Sequence, residues 1–322
     1  MLDPEYKTLA VFAIYQPKGL SLLIKRTISY LFNHKIKIII IAPHPINKKD
    51  IQFLIKNECI LLKRLNFGRD FGGYKYGILY LLANPDLLKP FTKILLLNDG
   101  IVFPVKEYSN TLENLLKYPH NVVGLAENYE YRWHIGSYFI LFNKNFLLSQ
   151  PLQIFWKSYK PYSSRLHTIK KGEILLGQTI SKLTDSYKIV YSGNALLTAI
   201  KNSSPSQLIQ LLPNDFLIKN SLLPNIFYLK KYINYNILGK HIETQSLPHI
   251  FSLILIEYLD CFFIKRDICY RGLYSISYVI HYLNSISKNK DLIEEFNIDL
   301  KNKGSTSSMP FFKKILCIAG VI

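Results

Sequence analysis

Two strand-end loops carry the side chains best suited to chemistry. The first reads Asn66-Phe67-Gly68-Arg69-Asp70-Phe71-Gly72-Gly73-Tyr74. Its glycines let backbone approach a ligand closely. Arg69 can grip a phosphate in a forked geometry, and Asp70 can accept from a nucleobase or a ribose hydroxyl. The glycine spacing matches neither the dinucleotide fingerprint nor the P-loop, and no Gly-Lys-Ser/Thr occurs. A tight turn held by Arg69 and Asp70 alone is the plainer account of the same residues. The second loop is Asn98-Asp99, directly after Ile94-Leu95-Leu96-Leu97. A carboxylate there can hold magnesium or manganese against a diphosphate, because magnesium keeps several waters and uses few protein carboxylates. Asn-Asp-Gly is also simply a good turn.

A third group lies downstream. Tyr131-Arg132-Trp133-His134 precedes a strand region with Ser137, Tyr138 and Phe139, and Lys170-Lys171-Gly172-Glu173 is predicted to open a helix carrying Gln178. A carboxylate in a first helical turn is locally favoured, which accounts for Glu173 by itself. If Glu173 faces the same cavity as Asp99, it can instead take a proton from an acceptor hydroxyl. His134 competes for that role, and a purely structural histidine fits equally.

These loops need a sheet to position them. Short apolar runs at Leu9–Tyr15, Ile36–Ala42, Cys59–Leu62, Ile94–Leu97, Val122–Leu125, Tyr138–Phe142 and Tyr187–Tyr191 read as strands. Helical spacing fills the gaps at Leu20–Phe32, Ile51–Ile55, Tyr74–Leu82, Ser109–Leu116, Pro151–Tyr159 and Gly172–Leu183, with Ser109 or Asn110 near a cap. Strands alternating with helices predict an α/β layer fold with a mostly parallel sheet, whose ligands bind beyond the carboxyl ends of the strands. The pattern ends near residue 195, so the chain divides into a 1–195 catalytic part and a mainly helical 196–322 part. Helices are predicted near Leu208–Leu212, His249–Ile264 and Tyr270–Ser285, and Lys301–Ser308 reads as flexible.

Composition narrows the classes. The 322 residues are 49% hydrophobic and 19% charged, which excludes wholesale disorder. Cys59, Cys261, Cys269 and Cys317 lack zinc-site spacing and read as free thiols in a reducing compartment. The start lacks a basic leader ahead of an apolar run, and no apolar stretch reaches membrane-span length. The net charge is +18, but lysine supplies 33 of the 40 basic residues and no arginine-rich stripe forms. No specific nucleic acid is therefore expected, although a basic nucleic-acid-binding protein remains the non-enzymatic alternative. Arg266, Arg271, Lys313 and Lys314 lie among Phe262, Phe263, Tyr270, Tyr274, Phe311 and Phe312. Gathered on one face, they would suit an anionic membrane surface; core aromatics beside solvated lysines explain them as well.

At the three loops the sequence resembles the rhamnan synthesis protein F family of rhamnosyltransferases in bacterial cell-surface polysaccharide assembly. The Gly-Arg-Asp-Phe-Gly-Gly-Tyr run ahead of Leu-Leu-Asn-Asp carries the resemblance, with His134–Phe142, Phe155-Trp156 and Gly172–Gln178. It implies a glycosyltransferase of the A type (GT-A), with a Rossmann-related sheet flanked by helices. Asn66, Gly68, Arg69, Asp70, Gly73, Asn98, Ser137 and Tyr138 would hold a nucleoside-diphosphate sugar. Asp99 would carry the divalent cation, and Glu173 would be the base, with His134 beside it. Two features depart from the family. A single carboxylate stands at Asn98-Asp99 where relatives of this fold carry Asp-x-Asp, and Gly136 replaces a bulkier polar residue. The expected reaction is inverting sugar transfer, of rhamnose or another hexose, to a hydroxyl of a polysaccharide or lipid-linked glycan. It would take place in the cytoplasm or on the inner face of the plasma membrane. A non-catalytic partner in polysaccharide assembly is the remaining alternative.

Overall fold

The computed structural model describes residues 6–106, 111–213, 235–271, 274–304, 310 and 312. The first strand, β1 (Thr8–Ala13), leads into helix α1 (Leu22–Asn33), whose first turn is capped by the Ser21 hydroxyl accepting from Ile24 N. Next come β2 (Ile36–Ala42), α2 (Lys48–Lys56), capped by Asn47, and β3 (Ile60–Lys63). Helix α3 (Arg69–Ala83) then returns the chain to β4 (Lys93–Asn98). β2 and β3 lie parallel on one side of β1, and β4 lies parallel on the other.

Beyond β4 the sheet changes direction. After the short β5 (Ile101–Val102) come β6 (Val122–Asn128), β7 (His134–Ile135), β8 (Phe139–Asn143) and β9 (Tyr187–Tyr191). The order is β3-β2-β1-β4-β8-β6-β7, with β9 also on β6. β8 runs antiparallel to both β4 and β6, whereas β9 is parallel to β6. The fold is thus the expected α/β sheet, with a reversal at β8 that turns Ser137 and Tyr138 toward the ends of β1 and β4.

Both faces of the sheet are buried, which explains why β2 is a continuous isoleucine run and not an alternating one. In β1, Ala10 and Phe12 pack on one side while Leu9, Val11 and Ala13 pack on the other. The first face is covered by α1 and by the helices Ser252–Tyr258, Ile276–Ile286 and Lys290–Lys303. The second is covered by α3, Gln150–Ser158 and Leu175–Leu183. The first core cluster therefore contains residues from both parts of the chain. A short strand, β10 (Ile264–Lys265), pairs antiparallel with β5 and straps the later part against the end of β4.

Several expectations change. α3 begins at Arg69, not Tyr74, so Gly72 and Gly73 are helical. The helix needs them: a Cβ on Gly73 would stand 2.8 Å from the Ala13 Cβ. Glu173 is not in a first helical turn. Helix formation starts near Arg165, widens into a π-helical stretch over Thr168–Ile174, and continues through Leu183. Around the predicted His249–Ile264 helix the chain forms Leu247–Ile250, then Ser252–Tyr258, then β10. Lys301–Lys303 close a helix, where a flexible segment was expected. Phe262, Phe263 and Tyr274 are core side chains, and Arg266 is 7% exposed, so they cannot contribute to a membrane-facing patch. Lys313, Lys314, Phe311, Cys317 and the Ser109 or Asn110 cap lie outside the described residues. Among the described residues, no helix is long and apolar enough to cross a membrane, and Cys59, Cys261 and Cys269 are free.

Candidate active site

A cavity of about 640 Å³ opens at the carboxyl ends of β1, β2 and β4. It brings together Asn66, Arg69, Asp70, Asn98, Asp99, His134, Ser137, Tyr138 and Glu173. Gly68 and Gly73 are absent from its lining. Gly68 adopts a left-handed φ of 76° ahead of α3, where a side chain would collide with Pro161. In the fold they serve chain reversal and close packing.

The first wall is built around the start of α3. Arg64, which the sequence did not single out, donates to the carbonyls of Leu65, Phe67 and Arg69 and so braces the whole loop. Arg69 itself takes a positive φ of 52°, an uncommon conformation for a side chain-bearing residue. Asp70 accepts from Phe71 N at 3.0 Å and from Asn98 Nδ2 at 2.9 Å. Burial and the negative charge of Glu173 raise its carboxyl to about 6, against the opposing pull of Arg69, the Phe71 N–H and Lys265. Asn98 also accepts from Gly100 N at 2.9 Å, so its amide fixes Asp70 and the turn together.

Asp99 holds the end of β1 in place. Its Oδ2 accepts from Tyr15 N at 3.1 Å and Gln16 Nε2 at 2.8 Å. Arg266 Nη1 lies 3.0 Å from the Asp99 carbonyl oxygen and 3.5 Å from the same Oδ2. The rest of the Arg266 guanidinium is taken by Asp299.

The opposite wall centres on Glu173. One carboxylate oxygen accepts from the Ser137 hydroxyl, and the other lies 3.5 Å from His134 Nε2. His134 is 1% exposed, and its Nδ1 lies 2.8 Å from the Arg132 carbonyl oxygen. Burial disfavours the imidazolium, yet Glu173 and the Arg132 carbonyl outweigh it and raise the His134 pKa. Burial would likewise raise Glu173, but His134, Ser137 and Lys265 hold its carboxyl below the usual range. His134 thus supports the charge on Glu173. The Tyr74 hydroxyl donates to the Ser137 carbonyl at 2.8 Å and fixes that turn.

Tyr138 explains the glycine at 136. A Cβ there would meet the Tyr138 ring at 2.5 Å, so the ring occupies the space of a bulkier residue. Its hydroxyl is buried without a hydrogen-bond partner among the described residues.

The third wall comes from the later part of the chain and was not anticipated as part of the site. Ser246, His249, Lys265 and Asp267 all line the cavity. The Ser246 hydroxyl lies 2.7 Å from His249 Nδ1, and His249 Nε2 lies 3.0 Å from Asp267. The only sequence signal was the alternation Ile264-Lys265-Arg266, which sends one cation into the cavity and its neighbour away from it.

Much of Asn98-Asp99 is already engaged and leaves little for a divalent cation. Asp99 has only Oδ1 left to offer, because Oδ2 receives Tyr15, Gln16 and Arg266. The Asn98 side-chain oxygen Oδ1 is engaged by Gly100 N. Among the described residues, no group of three or more His, Cys, Asp or Glu side chains could hold a metal.

Residues 38–220 match the rhamnan synthesis protein F family, a span holding the first and second walls. The chain belongs to that family. Within the rhamnan synthesis protein F family fold, the matched span covers Arg69, Asp70, Asp99, His134 and Glu173, whereas Lys265 and Arg266 lie beyond it. An uncharacterized protein of Sinorhizobium fredii, y4gN, is 24% identical over 203 residues, covering 62% of this chain and 52% of that protein. The chain thus spans about half the length of that relative. Among solved structures, the Saccharomyces cerevisiae mannosyltransferase Ktr4p aligns with a TM-score of 0.35 and 6% identity, over 55% of this chain and 66% of that one. The glycosyltransferase GlyE of Streptococcus pneumoniae aligns at 0.34 and 12%, over 79% and 63%. Likeness at this level carries no argument about activity.

Proposed function

We propose that the chain transfers a sugar from a nucleoside-diphosphate sugar to a hydroxyl of a glycan or lipid-linked glycan. One observation carries this reading: the Arg69–Asp70 turn and the Glu173 carboxylate face one cavity at the strand ends of the sheet. Family membership supports the same class of reaction.

The donor lies along the first wall. Arg69 meets the diphosphate as a planar cation, and Asp70 accepts from a hydroxyl or base N–H of the nucleotide. The acceptor enters beside Glu173. Its oxygen attacks the anomeric carbon from the face opposite the diphosphate, the bond to the leaving phosphate oxygen breaks, and the configuration inverts. Glu173 takes the proton from the attacking hydroxyl. Ser137 fixes the angle of the carboxylate, and His134 balances its charge while it is ionised. No covalent sugar–enzyme intermediate is needed.

The test is a screen of UDP-, GDP- and dTDP-sugars for donor-dependent protection against thermal unfolding, followed by transfer to glycan acceptors. The expected result is protection by one nucleotide class and transfer that fails in Glu173→Gln while donor protection persists. Protection by none of the donors would overturn the reading. Undiminished transfer by Glu173→Gln would overturn the assignment of the base.

A further inference from the structure

The weak fit for a metal leaves a chemical problem. A departing nucleoside diphosphate gains negative charge, and a positive group must stand near it. Arg64, Arg69, Arg165 and Lys265 line the cavity, and Arg266 lies behind it. Arg64 is consumed by three backbone carbonyls. Arg266 is consumed by Asp99 and Asp299. Arg69 stands on the first wall, at the start of α3.

Lys265 differs from these. β10 pairs it with Ile101 of β5, and Arg266 N donates to the Gly100 carbonyl at 3.0 Å. The lysine is thereby fixed alongside Asn98-Asp99-Gly100. Its ammonium lies 4.5 Å from the centre of the Tyr138 ring and 3.4 Å from the place a Gly100 Cβ would occupy. It forms no ion pair among the described residues. An ammonium over an aromatic face is held without being neutralised. It lines the same cavity as Asp70 and Glu173, where its charge opposes the rise of the first carboxyl and helps hold the second down.

We propose that Lys265 is the cation that receives the leaving diphosphate, in the position beside Asp99 where a divalent ion was expected. This rests on the transferase reading above and specifies how its leaving group is stabilised. As the bond from the anomeric carbon to the phosphate oxygen breaks, the electron pair stays with the diphosphate and meets the Lys265 ammonium. The acceptor's proton goes to Glu173, so charge balances without a metal. Gly100 serves the arrangement, because a side chain there would press on the Asn98 side-chain oxygen that holds the turn.

The experiment is titration calorimetry of UDP, GDP and dTDP, each beside its bare nucleoside, in EDTA and in magnesium chloride. Wild type is compared with Lys265→Gln and Lys265→Arg, with circular dichroism confirming that both variants fold. Wild type is expected to bind one diphosphate equally well in both media. Lys265→Gln should weaken that diphosphate by roughly tenfold or more, leave the nucleoside unchanged, and be largely rescued by arginine. Diphosphate binding that requires magnesium and is indifferent to Lys265→Gln would overturn this inference and leave the transferase reading standing. Binding of no diphosphate by wild type would overturn both.

Discussion

The two sides of the cavity are made in different ways. The first wall is local: Arg64, Asn66, Arg69 and Asp70 fall within seven residues, and Asn98-Asp99 ends the adjoining strand. The wall formed by Ser246, His249, Lys265 and Asp267 is assembled from a distance. It reaches the site through a two-residue strand pairing and one shared guanidinium. A local wall can be written as a motif, whereas a distant one depends on the whole core being formed. The comparison yields a contrast between residues that act on substrate and residues that hold the walls together.

The largest effect is expected at Glu173. Glu173→Gln should lower transfer at saturating donor by about 10²–10⁴-fold, the usual range for a lost general base, with donor affinity preserved. Initial rates beside donor titrations separate the two. Stability should distinguish the distant wall. Arg266→Met leaves Asp299 and Asp99 without their partner in a largely buried setting, where breaking one side of an ion pair costs about 3–5 kcal/mol. A urea midpoint that does not move would show that the walls do not depend on this clamp.

A smaller effect is expected on the first wall, with a pH signature. The folded state favours the protonated Asp70 carboxyl, whose pKa rises from 3.8 to about 6. Its contribution to stability is thus fully present below the unfolded value and is lost as pH rises through about 6. Asp70→Asn should remove that dependence and gain roughly 2 kcal/mol relative to wild type above pH 7, while weakening donor binding. Melting curves of both proteins from acid to neutral pH measure the difference. The smallest change is expected for Tyr138→Phe. Removing an unpartnered buried hydroxyl should leave stability within about 1 kcal/mol or raise it slightly.

Much of the first wall was legible in the sequence. The Arg-Asp turn, the strand ending at Asn98 and the carboxylate at 173 converge as their order suggested. Helix boundaries were less readable, for a physical reason. Gly72 and Gly73 look like loop residues until the Phe67 carbonyl and β1, respectively, are seen to approach so closely that only glycine fits. Glu173 looked like a residue favoured by a helix start because Gly172 resembles a break. Instead, Gly172 yields space to the Phe71 ring inside a continuous helix. Phe262 and Phe263 resembled a surface patch because composition cannot tell a face from a core. Their rings pack with Phe103, Phe139 and Tyr191. Lys265 had only the alternation Ile264-Lys265-Arg266 to mark it, since its position depends on a distant pairing with β5.

Arg266 reaches back to Asp99 and forward to Asp299. A ribosome delivers those three residues in order, the first long before the last. Until the Lys290–Lys303 helix has been made, Arg266 has Asp99 on one side and no carboxylate on the other. A chain that stops short of that helix would therefore carry the recognisable motif while the guanidinium behind it keeps only half of its clamp.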